Sequence, residues 1–281
     1  MSQLESTFPQ ERIIRPKHGL VAIDFAEIWR FRELFYIFAW RDVLVRYKQT
    51  YLGVAWAVLQ PLVTTVIFTI LFGKFANFPS NGMPYAVVTL TGLLPWQFFA
   101  NALSKSGSSL IAASRIISKV YFPRLIIPTS AVLSGIIDFM IGLLILFGFM
   151  LWYHVPFRLN LLLLPLFFSL AAVAALSAGL WLSALNVKYR DVDFIIPFFT
   201  RIGLYVSPVA FLSTIVPARW RMLYSMNPMV GIIDGFRWCV FGPGFEPDWK
   251  SLWISLTVIF TLLLTGMIYF RSTEKTFADL L

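Results

Sequence analysis

From residue 54 onward, long apolar runs alternate with short polar or proline-bearing connections. Val54–Phe72, Tyr85–Leu103, Leu159–Val187 and Leu252–Phe270 carry no Asp, Glu, Lys or Arg; Leu125–Trp152 carries only Asp138, and Val192–Leu212 carries Asp193 and Arg201. About 20 apolar residues are enough to cross a hydrocarbon core of about 30 Å as a helix. The runs are too long for barrel strands and lack strict period-two alternation. The pattern predicts an all-α integral membrane protein with six transmembrane helices between residues 54 and 270.

A different periodicity precedes the first run. At about 100° per residue, Trp29, Tyr36, Trp40, Val43 and Tyr47 share a narrow stripe of a helix over 28–52, while Arg30, Arg41 and Lys48 align on another face. Aromatic rings among headgroups and cations towards phosphates describe a helix lying in a membrane interface. Gly53 permits a turn out of it, and Pro61 removes a hydrogen bond and favours a kink. These two residues are the predicted hinge. The chain divides into a tail (1–27), a membrane domain (28–271) and a second tail (272–281).

Two connections are informative. Ser213–Trp249 is too broken by Pro217, Pro228, Pro243 and Pro247 to span, yet too apolar to hang in water. Short helices dipping into the membrane, or a folded cap with interfacial tryptophans, both satisfy it. In residues 104–128, Ser108 or Ser109 is placed to cap a helix over Leu110–Val120, which Pro123 stops.

Composition agrees with a membrane protein: 58% of the 281 residues are hydrophobic and 13% charged, with a mean hydropathy of +0.76. Of the 23 Lys and Arg, sixteen fall on the side of the termini, six on the opposite side, and Arg201 lies within a span. The positive-inside rule therefore predicts cytoplasmic termini. The net charge of +9 follows from topology and shows no nucleic-acid recognition motif. No cleavable leader is expected at the N-terminus.

Chemistry is sparse. One cysteine, Cys239, excludes an internal disulfide, and His18 and His154 form no metal constellation. No phosphate-binding loop exists, since Gly73-Lys74 runs into Phe75 and lacks the earlier glycine. Asp138 and Arg201 are the deep charges, about 19 and 12 Å into their spans at 1.5 Å per residue. An Asp138–Arg201 contact is expected to neutralise both, and solvation by a water-filled path is the alternative.

The run Arg41-Asp42, Arg46-Tyr47-Lys48, Thr50, Leu52-Gly53, Trp56 and Pro61 resembles the membrane subunit of ABC transporters that export bacterial surface polysaccharides such as O-antigens, capsules and teichoic acids. Further matches are Gly92–Trp96 (GLLPW), Lys119–Arg124 (KVYFPR), Asn186–Val192 (NVKYRDV), Ser207–Val209 (SPV), Asn227–Met229 (NPM) and Gly235–Arg237 (GFR). In order, they cover residues 28 to 271.

The resemblance implies a homodimer in a bacterial inner membrane with two copies of a separate cytoplasmic ATPase. This chain would hold no cofactor; ATP and magnesium would sit on the partner. The substrate implied is a lipid-linked polysaccharide, most specifically O-antigen. Trp29, Arg30, Tyr36, Trp40, Arg41, Tyr47 and Lys48 belong to the implied interface helix, and Ser109, Ala113, Arg115 and Lys119 to the coupling helix seated on the ATPase. The first and fifth spans are implied to line the channel, where Tyr51, Trp56, Phe194, Phe198, Phe199 and Tyr205 offer aromatic faces past which a sugar polymer can slide. Arg219, Trp220, Asn227 and Arg237 are placed at a periplasmic exit of re-entrant helices. A drug or lipid exporter shares this architecture. A membrane enzyme acting on polyprenyl-linked sugars would use Arg219, Arg221, Asp234, Arg237, Glu246 and Asp248.

Overall fold

The computed structural model describes residues 25–48, 51–274, 276 and 277, with side chains from residue 28 in the first segment and residue 55 in the second. The side chain of Tyr51 and the surroundings of Gly53 lie outside the described residues. All regular structure among the described residues is helical. Helices α1 (Phe25–Arg30) and α2 (Arg32–Tyr47) precede α3 (Tyr51–Phe68), which widens into π-helical turns at Thr69–Phe75. Next come α4 (Tyr85–Ala112), the short α5 (Ser114–Ile117), and the pair α6 (Ile126–Leu133) and α7 (Ile136–Trp152). A 3-10 turn at Leu159–Leu163 leads into α8 (Leu164–Lys188), followed by α9 (Val192–Val206), α10 (Ala218–Tyr224), α11 (Pro228–Phe241) and α12 (Trp249–Glu274).

Five of these stretches are long and apolar enough to cross a membrane: Ala55–Phe75, Tyr85–Ala112, Ile126–Trp152, Leu159–Lys188 and Trp249–Glu274. Helix α4 is their hub. Its most apolar window is 83% buried, against 17 to 33% in the other four, so α4 is wrapped in protein while its neighbours show apolar faces outward. Small residues allow the wrapping. A Cβ on Gly179 of α8 would collide with Ser106 of α4, and one on Gly142 of α7 would collide with Leu94. Close backbone approach through glycine substitutes for a hydrophobic drive that lipid does not supply.

The packing forms two cores. The larger joins α4, α7, α8, α11 and α12 through residues such as Leu90, Phe98, Phe167, Phe236 and Ile259. The smaller lies at the end where α2, the C-terminal turns of α4, the start of α6 and the end of α12 meet, and contains Phe38, Leu110, Ile117, Ile126 and Phe270. It includes Ala113, Ile117 and Phe122 of the connection that carries Arg115, Lys119 and Arg124.

The apolar pattern located the elements but misread several joints. The third run is two helices broken at Ser134 and Gly135, where α6 and α7 meet. The second run does not stop at Leu103; α4 continues to Ala112, because Ser108 and Ser109 return their hydroxyls to the carbonyls of Ser104 and Ser106. The expected capping serine is therefore absent, and the Leu110–Val120 helix is divided at Ala113 into the end of α4 and the four-residue α5. The predicted 28–52 helix is likewise divided at Phe31.

Candidate functional site

The fifth apolar run departs most from a simple span. Helix α9 has only 15 residues, about 22 Å at 1.5 Å per residue, short of the about 30 Å core. The chain then continues as non-helical backbone, with Ser207, Val209, Ala210 and Leu212 buried. Its carbonyls would be orphaned in an apolar setting, at several kcal/mol for each unsatisfied group.

Arg237 and Tyr85 satisfy them. Arg237, on α11 and only 1% exposed, donates Nη1 to the carbonyl of Phe211 at 2.9 Å and Nη2 to that of Val209 at 3.0 Å. The Tyr85 hydroxyl donates to the carbonyl of Ala210 between them. Asp234, one turn before Arg237, stands 3.7 Å away as its counter-charge. Burial raises the Asp234 carboxyl and lowers the Arg237 guanidinium, and the opposite charge of each resists the other's shift.

Four of the separated matching segments converge here. A Cβ on Gly92 of α4 would lie 3.0 Å from both Arg237 Nη2 and the Val209 carbonyl oxygen. Asn227 caps α11 by accepting from the Met229 amide at 3.0 Å, and its Nδ2 donates to Ser207 Oγ at 2.9 Å. GLLPW, SPV, NPM and GFR thus form one joint holding the non-helical backbone that follows α9. A fifth segment fastens the beginning of α9: Asn186 Nδ2 donates to the Gly107 carbonyl at 3.1 Å and to Asp193 Oδ1 at 2.7 Å, tying α8, α4 and α9 together.

Of the predicted exit residues, Arg219 and Trp220 are exposed on α10, whereas Arg237 is turned into the protein and Asn227 is committed to its cap. Two of the three carboxylates of the enzymatic alternative are structurally engaged too: Asp234 faces Arg237, and Asp248 accepts from the Lys250 amide and Ser251 hydroxyl at the start of α12, while Glu246 is exposed.

A second polar cluster joins the N-terminal helix to the bundle. Asp138 of α7 does not meet Arg201, which is exposed on α9. Its two carboxylate oxygens accept instead from Arg46 and from the Tyr47 hydroxyl at the end of α2. Depth along separate spans had suggested Arg201; α2 packing against α6, next to α7, delivers a closer cation. Burial and the bond to Asp138 push the Tyr47 hydroxyl up to about 12, so it stays a donor at neutral pH. Trp29 of α1 and Tyr36 and Trp40 of α2 are exposed, with Tyr36 and Trp40 stacked at 6.1 Å. Arg30, Arg41 and Lys48 are exposed as well.

In the connection after α4, Arg115 and Lys119 are exposed while Ala113 is buried, as is Ser109 near the end of α4. Arg124 donates to the Glu274 carbonyl and lies 5.9 Å from the Phe277 ring centroid, so this connection is anchored to the end of α12. Pro61 lies within α3.

The aromatic candidates with described side chains are on the surface of the subunit. Trp56, Phe194, Phe198, Phe199 and Tyr205 are 60 to 80% exposed. Helix α9 buries Val192 and Ile196 and turns its aromatic face outward. Near its end Tyr205 meets Phe68 of α3 at 6.3 Å between ring centroids, so α3 and α9 adjoin there.

Residues 33–241 match the family model described as ABC-2 type transporter. Over 242 residues the chain is 26% identical to the O-antigen export system permease protein RfbA of Klebsiella pneumoniae, covering 86% of this chain and 92% of that protein. Its Myxococcus xanthus namesake is 25% identical over 255 residues, 90% of this chain and 97% of that protein. The polysialic acid transport protein KpsM of Escherichia coli is 23% identical over 241 residues, 84% and 91% of the two chains. With a match over more than half its length and five long apolar helices, the chain is a multi-pass membrane protein that belongs to the ABC-2 type transporter family.

Proposed function

We propose that this chain is the membrane subunit of an ATP-driven exporter that moves a lipid-linked polysaccharide, O-antigen in the first instance, across a bacterial inner membrane. Two copies form the pathway, each working with one copy of a cytoplasmic ATPase that holds ATP and magnesium. Both termini face the cytoplasm. The observation that carries this reading is the aromatic face of α3 and α9. Trp56, Phe194, Phe198, Phe199 and Tyr205 stay outside the folded subunit, where a second copy would turn them into a lining. Stacking tolerates sliding because it does not depend on register. The matches to export permeases over most of the chain support the same substrate class.

Mechanically, ATP-driven closure of the partner pushes on α2 and on the connection around α5, and the first and fifth spans part. The Arg237 joint keeps the upper end of the fifth span fixed to α11 while this happens. The test is co-purification combined with complementation. Tagged protein should bring a separate nucleotide-binding subunit with it, and its deletion should leave polysaccharide inside the cell until the gene is restored. Normal surface polysaccharide in the deletion strain would overturn the substrate, and activity on polyprenyl-linked sugars without any ATPase would overturn the class.

A further inference from the structure

A cavity of about 460 Å³ opens between α2, the C-terminal part of α4 and the start of α6. Its floor includes Phe38, over which Arg41 lies at 5.3 Å from the ring centroid. Arg41, Arg46 and Lys105 are the cations of its wall, and Asp42 the carboxylate. Two of these cations are compensated: Arg41 pairs with Asp42 at 2.9 Å, and Arg46 with Asp138 behind the wall. Lys105 differs. Its Nζ donates to the neutral Ser134 Oγ at 3.0 Å, and it makes no ion pair among the described residues. The cavity therefore carries one surplus positive charge, with Ser108 at its edge as a further hydrogen-bonding group.

We infer that this cavity binds a phosphate diester, the headgroup of an anionic membrane phospholipid. Three observations select that chemistry. The surplus of one charge matches a monoanion. Lys105 stands seven residues before the end of α4, about 10 Å along the axis, and α2 lies over it with Tyr36 and Trp40 exposed, so the cavity sits at headgroup depth. Val45, 73% exposed at the cavity wall, provides an apolar exit for the glycerol and acyl part. Basic pockets between helices on the cytoplasmic side are the usual form of headgroup recognition. The site is independent of what the chain exports, since it is lined by α2, α4 and α6 and by no residue of the aromatic face of α9.

Native mass spectrometry of the detergent-purified, delipidated protein tests it with three probes: phosphatidylglycerol, phosphatidylcholine and inorganic phosphate. Wild type should retain one phosphatidylglycerol per chain at concentrations where phosphatidylcholine is lost. Lys105→Gln, which keeps a donor for Ser134, should lower that occupancy at least fivefold, and Lys105→Arg should keep it. Loss of the bound phosphatidylglycerol in millimolar inorganic phosphate would assign the same pocket to free phosphate instead of lipid. If Lys105→Gln does not fold, Arg41→Gln on the exposed side of α2 carries the same expectation at about threefold. Equal retention of the two lipids, or phosphatidylglycerol retention unchanged in the folded variants, would overturn the inference.

Discussion

Arg237 of α11 holds the carbonyl oxygen of Val209 at 3.0 Å, 28 residues back along the chain, and thereby satisfies the non-helical backbone that follows α9, whose helix ends at Val206. The contact explains how an apolar run of spanning length can stop being helical without leaving polar backbone in an apolar setting. The Phe211 carbonyl, bound by the other terminal nitrogen, makes the contact a fork.

A lysine cannot reproduce that fork, because its single ammonium is a point donor on a flexible stem. Arg237→Lys should lower stability by about 2 kcal/mol, and Arg237→Ala by about 3–5 kcal/mol, since alanine also strands Asp234. Thermal unfolding in detergent, followed by size-exclusion fluorescence, reads both; a melting curve like that of wild type would show that the clamp is dispensable.

Gly92 makes room for the same clamp. Gly92→Ala would place a methyl 3.0 Å from the Val209 carbonyl oxygen and from Arg237 Nη2, so a loss of about 1–3 kcal/mol is expected. Gly148→Ala is the control: nothing lies within 4 Å of its added Cβ, and the same helix-favouring substitution should be neutral or slightly stabilising. Similar melting temperatures for the two would contradict the steric account.

Asp138 and Tyr47 form a coupled pair between α7 and α2. A double-mutant cycle of Asp138→Asn and Tyr47→Phe should give a coupling energy of about 0.5–3 kcal/mol. Strict additivity would mean that the Tyr47–Asp138 bond adds nothing to the hold on α2 from the Arg46–Asp138 pair and its packing on α6.

The outward aromatics of α9 contribute little to the fold of one subunit. Simultaneous Phe198→Ala, Phe199→Ala and Tyr205→Ala should leave expression and ATPase association intact while reducing polysaccharide at the cell surface several-fold, measured by immunoblot. Unchanged export would remove these rings from the pathway.

Much of the site could not be found from sequence. The pair Tyr36 and Trp40 was legible because both lie within α2, where a 100° periodicity fixes which residues share a face; that Trp29 belongs to a separate short helix was not. The Asp138 partner was not, because the choice between Arg46 and Arg201 depends on which helices are neighbours. Arg237 carried a partial signal: an arginine among apolar residues, followed by Trp and Cys, is too costly to bury unpaired, and the glycine at position 235 announced close packing. The positions of its acceptors were hidden, because backbone carbonyls have no sequence.

The sequence by itself determined the membrane class, the number and approximate placement of apolar runs and the aromatic stripe before them, since each follows from local hydrophobicity and period. Tertiary structure decided that α4 is the wrapped hub, that the third run is broken and the fifth unwinds after Val206, and that Gly92, Ser207, Asn227 and Arg237 meet. Those outcomes depend on long-range packing and on the requirement that every buried carbonyl find a donor. That requirement is met only by residues distant in the chain.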